Sequence, residues 1–201
     1  MTALDVSRET EEMLRHYTDL LLKWTARINL IAPSTKTDVW TRHILDCCDA
    51  VVQPSTVTGQ WCDIGSGGGL PGLVAAIVHR DRLSDVTLVE SDRRKCAFLR
   101  TAARELGLAV TVIAERFERT ELASPDILSA RALAPLGSLL DLTSAHHGSN
   151  CTFLFMKGRA WREEAKEAGD RFSFTLETRP SLTDTDSATL LITNVQRRAD
   201  V

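Results

Sequence analysis

The chain has no long apolar run: Leu73 to Val78 is the longest, six residues against the roughly 18 that would suggest a membrane span. Nothing in the sequence is expected to cross a bilayer. The first dozen residues carry Asp5, Glu9, Glu11 and Glu12 where a leader would carry basic charge and then an apolar stretch, so a cytoplasmic location is expected. Cys47, Cys48, Cys62, Cys96 and Cys151 are odd in number and include no C-x-x-C spacing. Neither a disulfide framework nor a zinc knuckle is indicated, and reduced thiols, several of them in the core, are expected. No sign of charge dominates, with 24 Lys and Arg against 27 Asp and Glu and a net charge of -3. Any nucleic-acid partner must therefore be held by a local basic patch. There is no internal repeat and no low-complexity tract. Apolar residues at 43% and charged residues at 25% are ordinary globular usage. The length fits one domain with a small extension.

Residues 8 to 28 place Met13, Leu14, Tyr17, Leu20, Leu21, Trp24 and Ile28 at helical spacing, with Ser7 as a cap. A second helix is predicted over Asp38 to Val52, its stripe formed by Trp40, His43, Ile44, Cys47 and Val51. After a Pro54–Gly59 break the rhythm changes to short β-rich runs alternating with helices. Strands are predicted at Gln60–Ile64, Val86–Glu90, Ala109–Ile113, Ile127–Ala130, Cys151–Phe155, Phe172–Thr178 and Thr189–Asn194, with helices starting at Pro71, Arg93 and about Pro135. Such alternation indicates an α/β fold with a mostly parallel seven-stranded sheet covered on both faces. The last two strands, separated only by Arg179 to Asp186, pair as an antiparallel hairpin. The division expected is a helical extension over 1–58 and an α/β domain over 59–201.

The strongest local signal is Cys62-Asp63-Ile64-Gly65-Ser66-Gly67-Gly68-Gly69-Leu70-Pro71-Gly72, between the first predicted sheet strand and the helix after it. Glycines let a ligand rest on bare main chain at the carboxyl edge of a sheet. No G-K-[ST] is present, which excludes a P-loop. Two patterns compete: Gly67-x-Gly69-x-x-Gly72 is a dinucleotide fingerprint, and Asp63-x-Gly65-x-Gly67-x-Gly69 is that of S-adenosylmethionine methyltransferases. Glu90, 21 residues past Gly69, could accept both hydrogen bonds of a ribose diol in either.

Further blocks keep a common order: Leu21-Leu22-Lys23-Trp24 with Asn29-Leu30, Arg42-His43-Ile44-Leu45-Asp46, the glycine turn, Glu90-Ser91 with Arg94-Lys95 and Phe98-Leu99-Arg100, Ser129-Ala130-Arg131-Ala132, and Met156-Lys157-Gly158. Together they resemble the glucose-inhibited division protein B family, the small-subunit rRNA guanine-N7 methyltransferases. The resemblance implies a Rossmann-like class I methyltransferase fold, S-adenosylmethionine as cofactor, and 16S rRNA or the small ribosomal subunit as partner. By the same resemblance Asp63, Gly65, Gly67, Gly69 and Leu70 belong to the turn that holds the cofactor, with Gly65 and Leu70 toward its methionine end. Glu90, where the family generally has Asp, takes the ribose, Phe117 and Glu118 edge the adenine, and Arg131 completes the cofactor site.

For the RNA, Arg42 and His43 are candidate acceptor-pocket residues, with a satisfied half-buried histidine as the plainer reading of His43. Arg93, Arg100 and Arg104 form one arginine face, and Lys157, Arg159 and Arg162 another basic patch, either of which could instead be merely solvated. Neither a metal nor an acid–base residue is expected. The stretch Ser129-Ala130-Arg131-Ala132-Leu133-Ala134-Pro135 lacks the Asn/Asp-Pro-Pro-aromatic grip on an exocyclic amine. No cysteine has the setting of a C5-methylation nucleophile. Guanine N7 carries a lone pair and no proton, and needs neither. The alternatives are an NAD(P)-binding oxidoreductase and a non-catalytic RNA-binding assembly factor, and a monomer suffices for all three.

Overall fold

The first helix, α1 (Arg8–Thr25), begins where the Ser7 hydroxyl accepts the Thr10 amide at 3.1 Å, and it buries Leu14, Tyr17 and Leu21 along one stripe. This computed structural model describes residues 6–54, 56–144 and 150–198. Asp5, one of the acids weighed against a leader, lies outside the described residues. The single helix predicted over Asp38 to Val52 is in fact two: a π-helical stretch, Trp40–Leu45, runs straight into α2 (Asp46–Val51) after a 3-10 turn at Pro33–Asp38. A π turn widens the backbone ring and frees a carbonyl from regular helical pairing, a feature that recurs at functional sites.

Then come β1 (Gly59–Ile64), α3 (Gly72–Val78), β2 (Leu83–Val89), α4 (Arg93–Glu105), β3 (Val110–Ile113), β4 (Ile127–Arg131), α5 (Leu136–Thr143), β5 (Thr152–Lys157), α6 (Trp161–Arg171), β6 (Phe172–Pro180) and β7 (Ala188–Arg197). All seven predicted strands are present. The sheet order is β3-β2-β1-β4-β5-β7-β6, parallel through β5, with β7 inserted antiparallel between β5 and β6. The carboxyl ends of β1 to β5 therefore share one edge of the sheet, with order reversing between β1 and β4. That reversal is where open α/β sheets take ligands.

Alternation along the strands divides the apolar residues between two cores. On one face Trp61, Leu88 and Leu154 pack with Leu14, Tyr17, Leu21, Ile44, Leu73, Phe98 and Leu99. On the other, Ile64, Phe153, Phe155 and Ile192 pack with Leu136, Leu140, Ala168 and Phe172. The N-terminal helices thus share a core with the sheet. All five cysteines are free and buried. None of the described helices is long and apolar enough to cross a membrane. Helix α6 was not predicted, because its core-facing residues are only Trp161, Ala165 and Ala168 within a charged segment, a weak apolar signal.

Candidate active site

At the carboxyl edge lies a cleft of about 480 Å³. Its floor is the turn after β1, where Gly65, Gly67 and Gly69 have φ of +63°, +55° and +83°. These are left-handed conformations that side chains disfavour. The turn is cross-tied internally by Gly69 N–H donating to Ser66 O at 2.7 Å, and to β2 by Ser66 N–H donating to Val89 O at 3.1 Å. A Cβ on Gly67 would meet nothing nearer than the Gly65 carbonyl at 3.7 Å, so Gly67 offers open main chain. Gly69 differs: a Cβ there would strike Leu73, placing its open side against α3 instead of the cleft.

Glu90 immediately follows β2 on the cleft wall, 7% exposed. One carboxylate oxygen accepts the Gly67 amide at 2.9 Å and the other the Asp92 amide at 2.8 Å. Each oxygen keeps a further lone pair for a ligand. Asp63 is not on the wall. It is fully buried beneath the turn, where Oδ1 accepts from Ser129 Oγ at 2.6 Å and Ser129 Oγ in turn accepts the Trp61 indole N–H at 2.8 Å. Burial pushes its carboxyl up to about 6. A β1 position facing the interior can brace the turn but not line the cleft. Leu70, Phe117 and Glu118 do line it, with Phe117 only 5% exposed.

The opposite wall follows β4. Arg131 Nη2 donates to the Arg42 carbonyl at 3.1 Å and lies 3.9 Å from Asp46 Oδ2, while Nη1 meets Cys47 Sγ at 3.4 Å. The π-helical stretch thus presents a backbone carbonyl to the guanidinium on this wall. Ala132 stands at φ +50°, and Leu133, 41% exposed, covers Gly65. His43 borders the same wall, its Nε2 paired with Thr35 Oγ1 at 2.8 Å and its Nδ1 buried with no hydrogen-bond partner among the described residues. Burial foremost, then Arg131 and Arg42, holds His43 down to about 4, so it is neutral near pH 7. Arg42 itself is exposed, and its side chain lies outside the cleft wall.

The two basic patches separate sharply. Arg93, Arg100 and Arg104 are exposed along α4, Arg100 also donating to the Val112 carbonyl at 2.9 Å. Lys157, expected on an exposed patch, is 8% exposed and turned inward. Its Nζ donates to Ala134 O at 2.6 Å and pairs with Glu164 at 2.6 Å, and the same Glu164 oxygen accepts the Leu136 amide at 2.9 Å. Lys157 lies at the end of a strand buried on both faces, so it reaches under the β4–α5 loop, not toward solvent. Arg159 and Arg162 remain outside, paired with Asp186 at 3.3 Å and stacked on the Trp161 ring at 4.4 Å.

Sequence reasoning overlooked several wall residues. Glu115 and Arg116 follow β3 and were open to the same strand-end argument used for Phe117; Lys95 enters from α4. Leu30, Ile31 and Ala32 arrive from the N-terminal connection by packing against the turn, which no local pattern announces. Among the described residues no cluster of His, Cys, Asp or Glu could hold a metal.

Sheet order, glycine turn and an acidic β2 terminus define the class: a Rossmann-like methyltransferase fold. Solved structures agree. The chain superposes on a ribosomal protein L11 methylase from Lactobacillus delbrueckii subsp. bulgaricus with a TM-score of 0.60 at 15% identity, covering 74% of this chain and 76% of that one. It superposes on the N-methyltransferase NodS from Bradyrhizobium japonicum, solved with S-adenosyl-L-homocysteine, with a TM-score of 0.55 at 10% identity, over 96% and 100%. The model of the GidB family, rRNA small subunit methyltransferase G, matches residues 10–189. Relatives bearing the name ribosomal RNA small subunit methyltransferase G include one from Ruegeria sp. strain TM1040, 45% identical over 96% of this chain and 95% of its own. Another, from Paramagnetospirillum magneticum, is 44% identical over 98% and 95%. The chain belongs to the GidB family of rRNA small subunit methyltransferases, and the nicotinamide alternative falls.

Proposed function

We propose that the protein transfers a methyl group from S-adenosylmethionine to N7 of a guanine in 16S rRNA, acting as a cytoplasmic monomer whose residues 1–58 extend and partly wall the catalytic domain. The observation that carries this reading is the open main chain at Gly67 facing Glu90 across the carboxyl edge. The residues fit the cofactor: a floor without side chains, a carboxylate with free lone pairs, and the buried Phe117 ring on a cleft within the usual size for small ligands. The bound cofactor supplies an electrophilic methyl on a sulfonium.

The chain's own residues then bind and orient. Gly65, Gly67 and Leu70 carry the amino-acid end, Glu90 accepts from the ribose, and Phe117 with Glu118 borders the adenine. Asp63 and Gly69 act from behind, keeping the turn in shape. Arg131, tethered by Arg42 O and Cys47, completes the cofactor site, and neutral His43 lies toward the acceptor. Guanine N7 needs no base, and His43 on this wall, held down to about 4, would be a weak one. Alignment of the two reactants can supply several kcal/mol, up to about 7–11 in ideal cases. A covalent cysteine route is disfavoured by burial: the thiol nearest this wall, Cys47, is pushed up to about 12. Arg93 and Arg100 are the phosphate contacts proposed for α4.

Mass-spectrometric mapping of 16S rRNA from cells with and without the protein tests this reading. One N7-methylguanosine should disappear with the protein and return with it. A methyl on an exocyclic nitrogen, or rRNA unchanged by the protein's absence, would overturn it, the latter in favour of an assembly factor.

A further inference from the structure

Tyr17 is the chain's only tyrosine. It is fully buried in α1, where a phenol hydroxyl must find a partner or destabilise the fold. Its Oη donates to the carbonyl of Gly68 at 2.5 Å, across 51 residues of sequence. The contact is part of a seam: a Cβ on Gly68 would come within 3.1 Å of Leu21 Cδ1 and 3.4 Å of the Leu30 carbonyl. The rear of the glycine turn is thus seated on the N-terminal helix and its connection, while its front at Gly67 is held by Glu90.

Gly67-Gly68-Gly69 has more conformational freedom to lose than any other tripeptide, and a site built from it must be ordered before or during binding. Four bonds hold it: Gly67 N–H to Glu90, Gly69 N–H to Ser66 O, Leu73 N–H to Gly69 O, and Tyr17 Oη–H to Gly68 O. Three come from within the methyltransferase domain. The fourth, the one on the Gly68 carbonyl, comes from α1, outside it. We propose that Tyr17 is a positioning residue for the cofactor site, fixing the Gly68–Gly69 peptide so that the turn is already open to S-adenosylmethionine. The N-terminal helix then contributes to cofactor affinity without touching the cofactor. This inference rests on the cofactor assignment above.

The test is calorimetric titration of the full chain with S-adenosylmethionine. Tyr17→Phe keeps the ring and removes the hydroxyl, and Kd should rise about tenfold, the equivalent of one buried hydrogen bond. Turnover at saturating cofactor should stay within about twofold of wild type, since the loss is in ordering the turn and not in the reaction. Thr18→Val is the control for helix stability: it removes a buried hydroxyl bonded only within α1, to Leu14 O at 2.7 Å, and should lower Tm without moving Kd. Gly68→Ala approaches from the other side, pushing the turn off Leu21 and Leu30, and should also weaken binding; it decides the matter should Tyr17→Phe fail to fold. Wild-type affinity in Tyr17→Phe or in Gly68→Ala would overturn the proposal, as would an equal loss in Thr18→Val. A wild-type protein that did not bind S-adenosylmethionine would instead remove the cofactor assignment beneath it.

Discussion

On the glycine side of the cleft the lining is largely main chain, held by amide N–H hydrogen bonds to Glu90, Ser66 and Val89, all within 25 residues of one another. On the β4–α5 side the lining is side chains, held by the Lys157–Glu164 ion pair between β5 and α6 and by a carbonyl from the π-helical stretch far upstream. The first wall depends on what its residues lack, a Cβ; the second on what distant residues bring. A wall of the first kind is written in local spacing, because left-handed turns demand glycine at set positions. A wall of the second kind follows from the packing of a completed sheet.

Breaking the first wall should have the largest effect. Gly67→Val places a branched side chain in open space that the cofactor is proposed to fill, at a φ of +55° that valine disfavours. Calorimetry should detect no binding, a loss of more than about a hundredfold or about 2.7 kcal/mol, while circular dichroism still reports a folded chain. Retained binding would mean that the cofactor does not lie on this turn.

The second wall should break as a matter of stability. Lys157→Met leaves Glu164 with a charge facing the loop and the Ala134 carbonyl without its donor. Removing one partner of a fully buried pair costs ~3–5 kcal/mol, and with Glu164 at 20% side-chain exposure about 2–4 kcal/mol is expected in denaturant unfolding. The salt dependence of RNA binding should not change. A salt slope that flattens in Lys157→Met with stability intact would return Lys157 to an exposed, phosphate-contacting role.

The same contrast explains what could be read in advance. Seven strands were legible because each is a short apolar, β-rich run between turns, and the glycine turn because its residues are consecutive. The interior placement of Lys157 was not, since a lysine followed by Gly158 and Arg159 looks like a surface patch until the sheet shows where β5 ends. Asp63 matched a cofactor pattern but faces inward, a distinction set by strand register. The π turn at Trp40–Leu45 was hidden because its apolar stripe fits a 3.6-residue period almost as well. Helix α6 was missed because alanines formed much of its buried stripe. No residue pattern joined Tyr17 to Gly68.

A smaller effect is expected at the exposed arginine face. Arg93→Glu with Arg100→Glu removes two cations that α4 presents to solvent, so folding stability and cofactor affinity should hold. RNA affinity should fall about tenfold at moderate salt, and the slope of log K against log salt should flatten by about 1.4–1.8, at 0.7–0.9 per phosphate contact. An unchanged slope would reduce this face to a solvated one. Set beside Lys157→Met, the pair separates a basic residue that meets RNA from one that builds the wall.

The smallest expected change is with pH. His43 takes up a proton only near 4 in the folded protein, held down chiefly by burial, against 6.5 for an ordinary histidine. As pH falls through about 6.5 toward 4 the unfolded chain gains a proton that the folded one refuses, so this residue's contribution to stability is present above 6.5 and lost across that window. Asp63 works the other way: raised to about 6 from 3.8, it favours the folded state at acid pH and loses that contribution as pH rises through about 4 to 6. The opposing slopes make the net curve shallow, and the difference between wild type and His43→Gln isolates the histidine. Thermal denaturation at neutral and acid pH should show His43→Gln losing less stability than wild type below 6.5. Turnover at saturating cofactor and RNA should vary less than about twofold between about pH 6 and 8.5, because N7 gives up no proton and His43 stays neutral throughout. A rate rising about tenfold per pH unit in that range would place a titrating base on the acceptor wall, and the contrast between a main-chain wall and a merely positioning side-chain wall would fail.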